Sequence, residues 1–416
     1  MTVTGADNPF LAFRHHLDLY AHALECGLDD AGYRELVTEA DDRLAAVAGT
    51  GFRVTPLVEL TLDAGRRLAT PPPQPVVAKV ETGSVGGSHK ARHLFGLLLR
   101  LLIDQRAQPD LASRPLAIAS CGNAALGAAL VARSAERELR VFVPTDADPA
   151  VLAELERLDA RTSTCARRPG GPDGDPCIHA LDESLTEGAL PFTVQGTRVA
   201  AVIDGGRTLG LELAAQLRRR RITAGRLFIQ IGGGALATAV MDGLVRAELD
   251  RVPALHPVQA AAAHPYVAAA QLAEPILSGI GPRPGVDAAT VRAEVLAALD
   301  AAEAPLMVPW PETPRSVASG ILDDVTYDWR TVLAHQVATG GRAITVEETT
   351  FVEAARLGSQ LDPPPDETGA AGLAGLLTVL DEGDAPDADP DTLSDADADP
   401  DAVDVVLLTG VRRSDG

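Results

Sequence analysis

Three short segments of the 416-residue chain hold residues in arrangements that could do chemistry. The first is ETGSVGGSHKAR, residues 81–92, where Lys90 follows a glycine- and serine-rich stretch and opens the apolar run KARHLFGLLLRLLID. That run reads as a strong helix, so Lys90 sits among N–H groups that favour an anion over a cation. The helix end and partial desolvation both lower an amine's pKa. A neutral amine is what Schiff-base formation with an aldehyde requires. The plainer alternative is a lysine that snorkels to solvent.

The second segment is SCGNAALG, residues 120–127. Ser120, the Gly122 backbone and Asn123 bring several donors to a helix N-terminus, which suits a carboxylate or a ring oxygen. An ordinary N-cap with a tight turn is the alternative. The third is IGGGALATA, residues 231–239. Gly232, Gly233 and Gly234 let the backbone wrap an anion with a helix dipole behind it, and a phosphate is the natural occupant. A sharp strand–helix connection fits as well. A dinucleotide fingerprint needs glycine at 237, where Ala237 stands, and no G-K-[ST] follows for a P-loop. Together the turns supply an amine nucleophile, a carboxylate cradle and a phosphate cradle, which is what pyridoxal phosphate with an amino-acid substrate needs.

The elements that must carry these turns follow one rhythm. PVVAKVE, PLAIAS (115–120), LRVFVP (139–144), RLFIQI (226–231) and AVDVVLLTG read as strands, and all but the last lead into a loop and a helix. Such repetition means α/β architecture with a mainly parallel sheet, whose ligands sit outside the carboxyl ends of the strands. Residues 8–48 read as helices with stops at Gly27 and Gly49. Adjacent His15 and His16 point in different directions on a helix and read as surface rather than as metal ligands.

Charge and cysteines bound the setting. There are 36 basic and 58 acidic residues, a net charge of −22, which argues against nucleic-acid and anionic-membrane partners. Residues 381–404 hold eleven acids and no base and read as a mobile, solvated surface loop. The stretch 167–176, RRPGGPDGDP, reads as a second surface loop. Cys26, Cys121, Cys165 and Cys177 form no C-x-x-C pair and no zinc spacing, so no metal is expected. With no signal-peptide pattern after Met1 and no apolar run near the roughly 20 residues that span a bilayer, the expectation is a reduced, cytoplasmic protein.

In their order along the chain, seven segments resemble the fold-type-II pyridoxal-phosphate enzymes, the group of threonine dehydratase, threonine synthase, cysteine synthase and the tryptophan synthase β chain. They are VTPLVEL (54–60), GGSHKAR (86–92), SCGNAALG (120–127), GGRTLGLELAAQL (205–217), IGGGALA (231–237), ETGAAGLAGLL (367–377) and LLTG (407–410). The resemblance implies a two-domain, tryptophan synthase β-like fold with mainly parallel twisted sheets. The expected large domain is 51–89 with 204–416, the small one 90–203, and residues 1–50 form an N-terminal helical extension. A homodimer is the expected assembly.

The resemblance also implies roles. Lys90 carries the cofactor and moves the Cα proton; Asn123 meets the ring 3′-oxygen. Ser120, Cys121, Gly122, Asn123 and Ala124 form the substrate-carboxylate loop, and Gly232, Gly233, Gly234, Ala235 and Leu236 the phosphate loop. Thr409 meets the pyridine nitrogen. His89, in the place of the histidine in the tryptophan synthase β chain's A-H-K, contacts the phosphate or packs. The segment containing SGILDDVTYDWR matches no member by reaction. The expected activity is α,β-elimination from a small L-amino acid, as in a threonine or serine dehydratase or an ammonia-lyase. A β-replacement or threonine-synthase-type reaction is the alternative, and a non-catalytic binding module the alternative of another class.

Overall fold

Ten strands, most of them apolar runs, lie among the described residues of the computed structural model, which are 8–62, 76–167, 174–311, 314–382 and 402–413. The strands are β1 (Leu57–Leu60), β2 (Val76–Val80), β3 (Leu116–Ala119), β4 (Leu139–Pro144), β5 (Arg161–Cys165), β6 (Leu190–Pro191), β7 (Ala224–Gln230), β8 (Ala254–Ala260), β9 (Ile344–Val346) and β10 (Val403–Leu408). They form two sheets, one in each of two compact units.

The first unit comprises residues 1–54, 84–208 and 413–416 and contains the sheet β5-β4-β3-β6, parallel throughout. The N-terminal helices belong to this unit because aromatic packing draws them in. Phe10, Phe52 and Phe95 are buried with ring centroids 4.9–5.3 Å apart. Phe95 lies on helix Lys90–Asp104, so these helices brace the element that carries Lys90. Gly49 ends helix Asp30–Ala48 in the left-handed region.

The second unit comprises residues 55–83 and 209–412 and contains the sheet β1-β2-β10-β7-β8-β9. Only the β1–β2 pair is antiparallel. Its four central strands are mostly buried, as a sheet covered on both faces requires, and each sets one or two polar residues in a largely apolar run. The mixed α/β fold with mainly parallel sheets is therefore as expected.

The acidic tract divides differently from the loop expected over 381–404. Asp381 and Glu382 close helix Ala371–Glu382, and Asp404 lies inside β10, fully buried. Arg226 of the adjacent β7 clamps Asp404 with two hydrogen bonds of 2.7 Å, which is how a strand tolerates a buried carboxylate. Residues 383–401 lie outside the described residues, as do 168–173 of the second expected loop. No helix among the described residues is long and apolar enough to cross a membrane.

Candidate active site

In the first unit, Ser84–Ser88 makes a tight turn in which Gly86 and Gly87 take positive φ, and Lys90 is the first residue of the helix that follows. No side chain caps that helix, and the Lys90 amide lies 3.4 Å from Ser88 Oγ. Lys90 is half-buried. His89 is buried, its ring edge-on to His93 at 5.9 Å.

Two glycines hold this helix in place. On helix Ala201–Arg220, a Cβ at Gly205 would run into the Arg92 carbonyl, and one at Gly206 into the His93 ring. The GGRTLG segment thus lets one backbone touch the first turn of the Lys90 helix. His93 is fully buried, and desolvation, helped by the Lys90 charge, pushes its pKa down to about 3.

The 120–124 turn joins the same unit. Helix Asn123–Ser134 starts after Gly122 without a side-chain cap, and Gly127 packs against the Ala91 backbone. Ser120 and Asn123 are half-buried, Cys121 is exposed and Ala124 buried. The Gly122 N–H lies 3.5 Å from Ser120 Oγ. Arg413, which sequence reasoning missed, donates to Asn123 Oδ1 (2.8 Å) and to Gly86 O (3.0 Å). Guanidinium only donates, so Oδ1 must face it and the Asn123 NH₂ points the other way. The Lys90 and Asn123 turns are thereby tied together.

In the second unit, β7 runs into Gly232–Gly234 and helix Ala235–Arg246, which has no side-chain cap. Gly234 has φ +96°, a conformation that favours glycine. A Cβ at Gly232 would meet the Asp323 carboxylate, and one at Gly233 would lie 3.0 Å from Tyr327. The SGILDDVTYDWR segment therefore packs on the turn, and the Asp328 N–H donates to Gly233 O at 2.8 Å. A glycine cradle with an uncapped helix start behind it fits a phosphate.

Thr409 follows β10, is 2% exposed, and donates its N–H to Gly369 O at 3.0 Å. Its Oγ1 accepts a hydrogen bond from Gln230, the last residue of β7. Gln230 carries no signal in the sequence beyond being a polar residue in an apolar strand.

Only two lysines occur in the sequence, Lys79 and Lys90. Lys79 on β2 is fully buried, and its Nζ donates to Glu212 Oε2 (2.7 Å), Thr55 O (2.7 Å) and Gln216 Oε1 (3.0 Å). Those acceptors use the three protons of an ammonium. Lys90 is the half-buried one of the two.

Among the described residues, one mixed cluster of possible metal ligands lies elsewhere in the first unit. His22 Nε2 is 2.6 Å from Asp104 Oδ1, and Cys26 Sγ is 3.4 and 3.9 Å from the two ring nitrogens. Asp104 is also held by Arg100 at 2.9 Å.

Comparison with known proteins is consistent with this chemistry. A family model described as "Pyridoxal-phosphate dependent enzyme" matches residues 49–390. No curated relative matches the sequence. The threonine deaminase of T.th. is 21% identical with a TM-score of 0.61, over 92% of this chain and 99% of that one. Maize serine racemase is 16% identical with a TM-score of 0.60, over 92% and 95%. Diaminopropionate ammonia lyase from Escherichia coli is 16% identical with a TM-score of 0.61, over 91% and 88%. At these identities the structures establish the fold shared with fold-type-II enzymes, while the family match brings the cofactor.

Proposed function

The chain belongs to the pyridoxal-phosphate-dependent enzyme family, and within it we propose a lyase that eliminates the Cβ substituent of a small L-amino acid. Bound pyridoxal phosphate supplies an aldehyde carbon and an electron-withdrawing ring. Lys90 would hold the cofactor through its aldehyde and, as a free amine, would be the base that takes the substrate Cα proton. Ser120, Cys121, Gly122, Asn123 and the Ala124 N–H hold the substrate carboxylate. Backbone N–H groups of Gly232, Gly233, Gly234, Ala235 and Leu236 hold the phosphate, with His89 as a further phosphate contact. Asn123 offers its NH₂ to the ring oxygen, a polarity supported by Arg413 on its Oδ1.

One observation supports chemistry at Cβ. The buried group at the end of β10 is the hydroxyl of Thr409, not a carboxylate. A neutral hydroxyl at the pyridine nitrogen would leave that nitrogen unprotonated and the ring a weaker electron sink, which would favour elimination or replacement at Cβ over transamination.

Incubating the purified holoenzyme with a panel of L-amino acids tests this. Release of ammonia and a 2-oxo acid in equal amounts from a β-hydroxy or β-substituted substrate is the expected result. Inversion at Cα without ammonia, or turnover only when a second nucleophile is added, would contradict it. A cytoplasmic setting is part of the proposal, supported by four free cysteines, two of them exposed. So is a homodimer, supported by Leu272 and Ile276, exposed one turn apart on helix Pro265–Leu277; light scattering checks it.

A further inference from the structure

We propose that Gln230 is a positioning residue that orients the Thr409 hydroxyl as a hydrogen-bond donor and so sets the protonation state of the cofactor ring. This rests on the reading of Thr409 given above.

The two residues end neighbouring parallel strands, Gln230 closing β7 and Thr409 following β10. Gln230 is 5% exposed and Thr409 2%. Gln230 Nε2 faces three oxygens: Thr368 O at 3.1 Å, Gly369 O at 3.4 Å and Thr409 Oγ1. Two of these are carbonyls, which only accept. The amide end that meets them is therefore the NH₂. The third oxygen, facing the same NH₂, must accept too.

A threonine hydroxyl has one proton. Once its oxygen accepts from Gln230, that proton is directed to another acceptor. The orientation holds although it leaves Gln230 Oε1 buried with no partner among the described residues. Flipping the amide would set an oxygen against two carbonyls, so the polarity is locked from the protein side. A donor aimed at the ring nitrogen keeps that nitrogen an acceptor, hence unprotonated. Without the amide, the Thr368 and Gly369 carbonyls keep only their backbone donors, the Ala371 and Thr409 N–H groups, and each has a second lone pair left to fill. The Thr409 proton then turns to them, and a lone pair faces the ring instead.

The experiment reads the ring directly. Holoenzyme loaded with cofactor labelled with nitrogen-15 in the ring is compared by NMR across pH for the parent, Gln230→Met, Gln230→His and Thr409→Val. The parent should show an unprotonated nitrogen. Gln230→Met should move the resonance toward the protonated position, by about one unit in the ring's pKa, a tenfold change in its protonation ratio. Gln230→His keeps an N–H donor at similar reach and should restore the parent signal, which a merely structural role would not predict. If Gln230→Met leaves the resonance at its parental place while Thr409→Val moves it, the relay is wrong and the reading of Thr409 stands. If Thr409→Val moves nothing either, the reading of Thr409 falls and the relay with it. Should Gln230→Met not fold, Gln230→Leu supplies the same comparison.

Discussion

Lys79 Nζ lies 2.7 Å from Glu212 Oε2, and neither side chain is exposed. Thr55 joins them, its N–H and hydroxyl both within reach of Glu212 (3.0 and 3.2 Å) and its hydroxyl also bonded to Glu81. Removing one partner of such a pair leaves an uncompensated buried charge. Glu212→Ala should lower stability by about 3–5 kcal/mol. Lys79→Met combined with Glu212→Leu should recover most of that, because both desolvation costs go together. Chemical denaturation of the three forms checks it, and a single variant as stable as the parent would be contrary.

The glycine turn gives a second prediction. Gly233→Asp adds a side chain toward Tyr327 and a negative charge beside the proposed phosphate position. Cofactor affinity, measured by titrating the apoenzyme, should fall by a factor of about 100 or more, the equivalent of two 1.4 kcal/mol steps. A variant that purifies fully yellow would place the phosphate elsewhere.

Thr409→Asp places a carboxylate at the proposed ring-nitrogen position, and a carboxylate favours the protonated ring. Expulsion of the Cβ group should slow by about tenfold or more, a loss of at least 1.4 kcal/mol in the transition state. Thr409→Val should retain elimination with looser cofactor binding. Stopped-flow measurement of 2-oxo acid release distinguishes the two, and parental rates in Thr409→Asp would be inconsistent with the assignment.

Stability should also fall in acid. Desolvation holds buried His93, His256 and His335 neutral, each with its pKa pushed down to about 3 from 6.5, and nearby Lys90, Arg226 and Arg292 respectively add to the effect. Below pH 6.5 the unfolded chain binds protons that the folded chain refuses. This stabilisation is therefore complete above the unfolded pKa and is lost as pH falls toward 3. The slope approaches roughly 1.4 kcal/mol per pH unit for each histidine. Burial raises Asp41 and Asp204, which therefore oppose the trend in the carboxylate range. Urea unfolding between about pH 7 and pH 5 should show the decline, and His335→Gln should reduce its slope. A flat profile would mean that these rings are solvated.

Much of this was legible because the local signals agree with one another. Helix Lys90–Asp104 and strand β4 have the bounds their apolar runs suggest, and the glycine triplet marks the turn after β7. Other features had no local signal. β5 is RTSTC, an exposed polar edge strand, and β8 contains His256 and Pro257, which argue against a strand. Pro257 is tolerated outside the stretch Val258–Ala260 that β9 pairs. Asp404 read as part of an acidic loop because its partner, Arg226, is 178 positions away. Gln230 and Arg413 acquire meaning only from what they touch across the fold.

Lys90 is the proposed carrier of the cofactor. A chain with two lysines makes the test unusually clean. Borohydride reduction of the yellow holoenzyme, followed by peptide mapping, should put one pyridoxyl group on Lys90 and none on Lys79, and Lys90→Ala should purify without the covalent chromophore. A label on Lys79, or an unlabelled chain that is still yellow before reduction, would contradict the account.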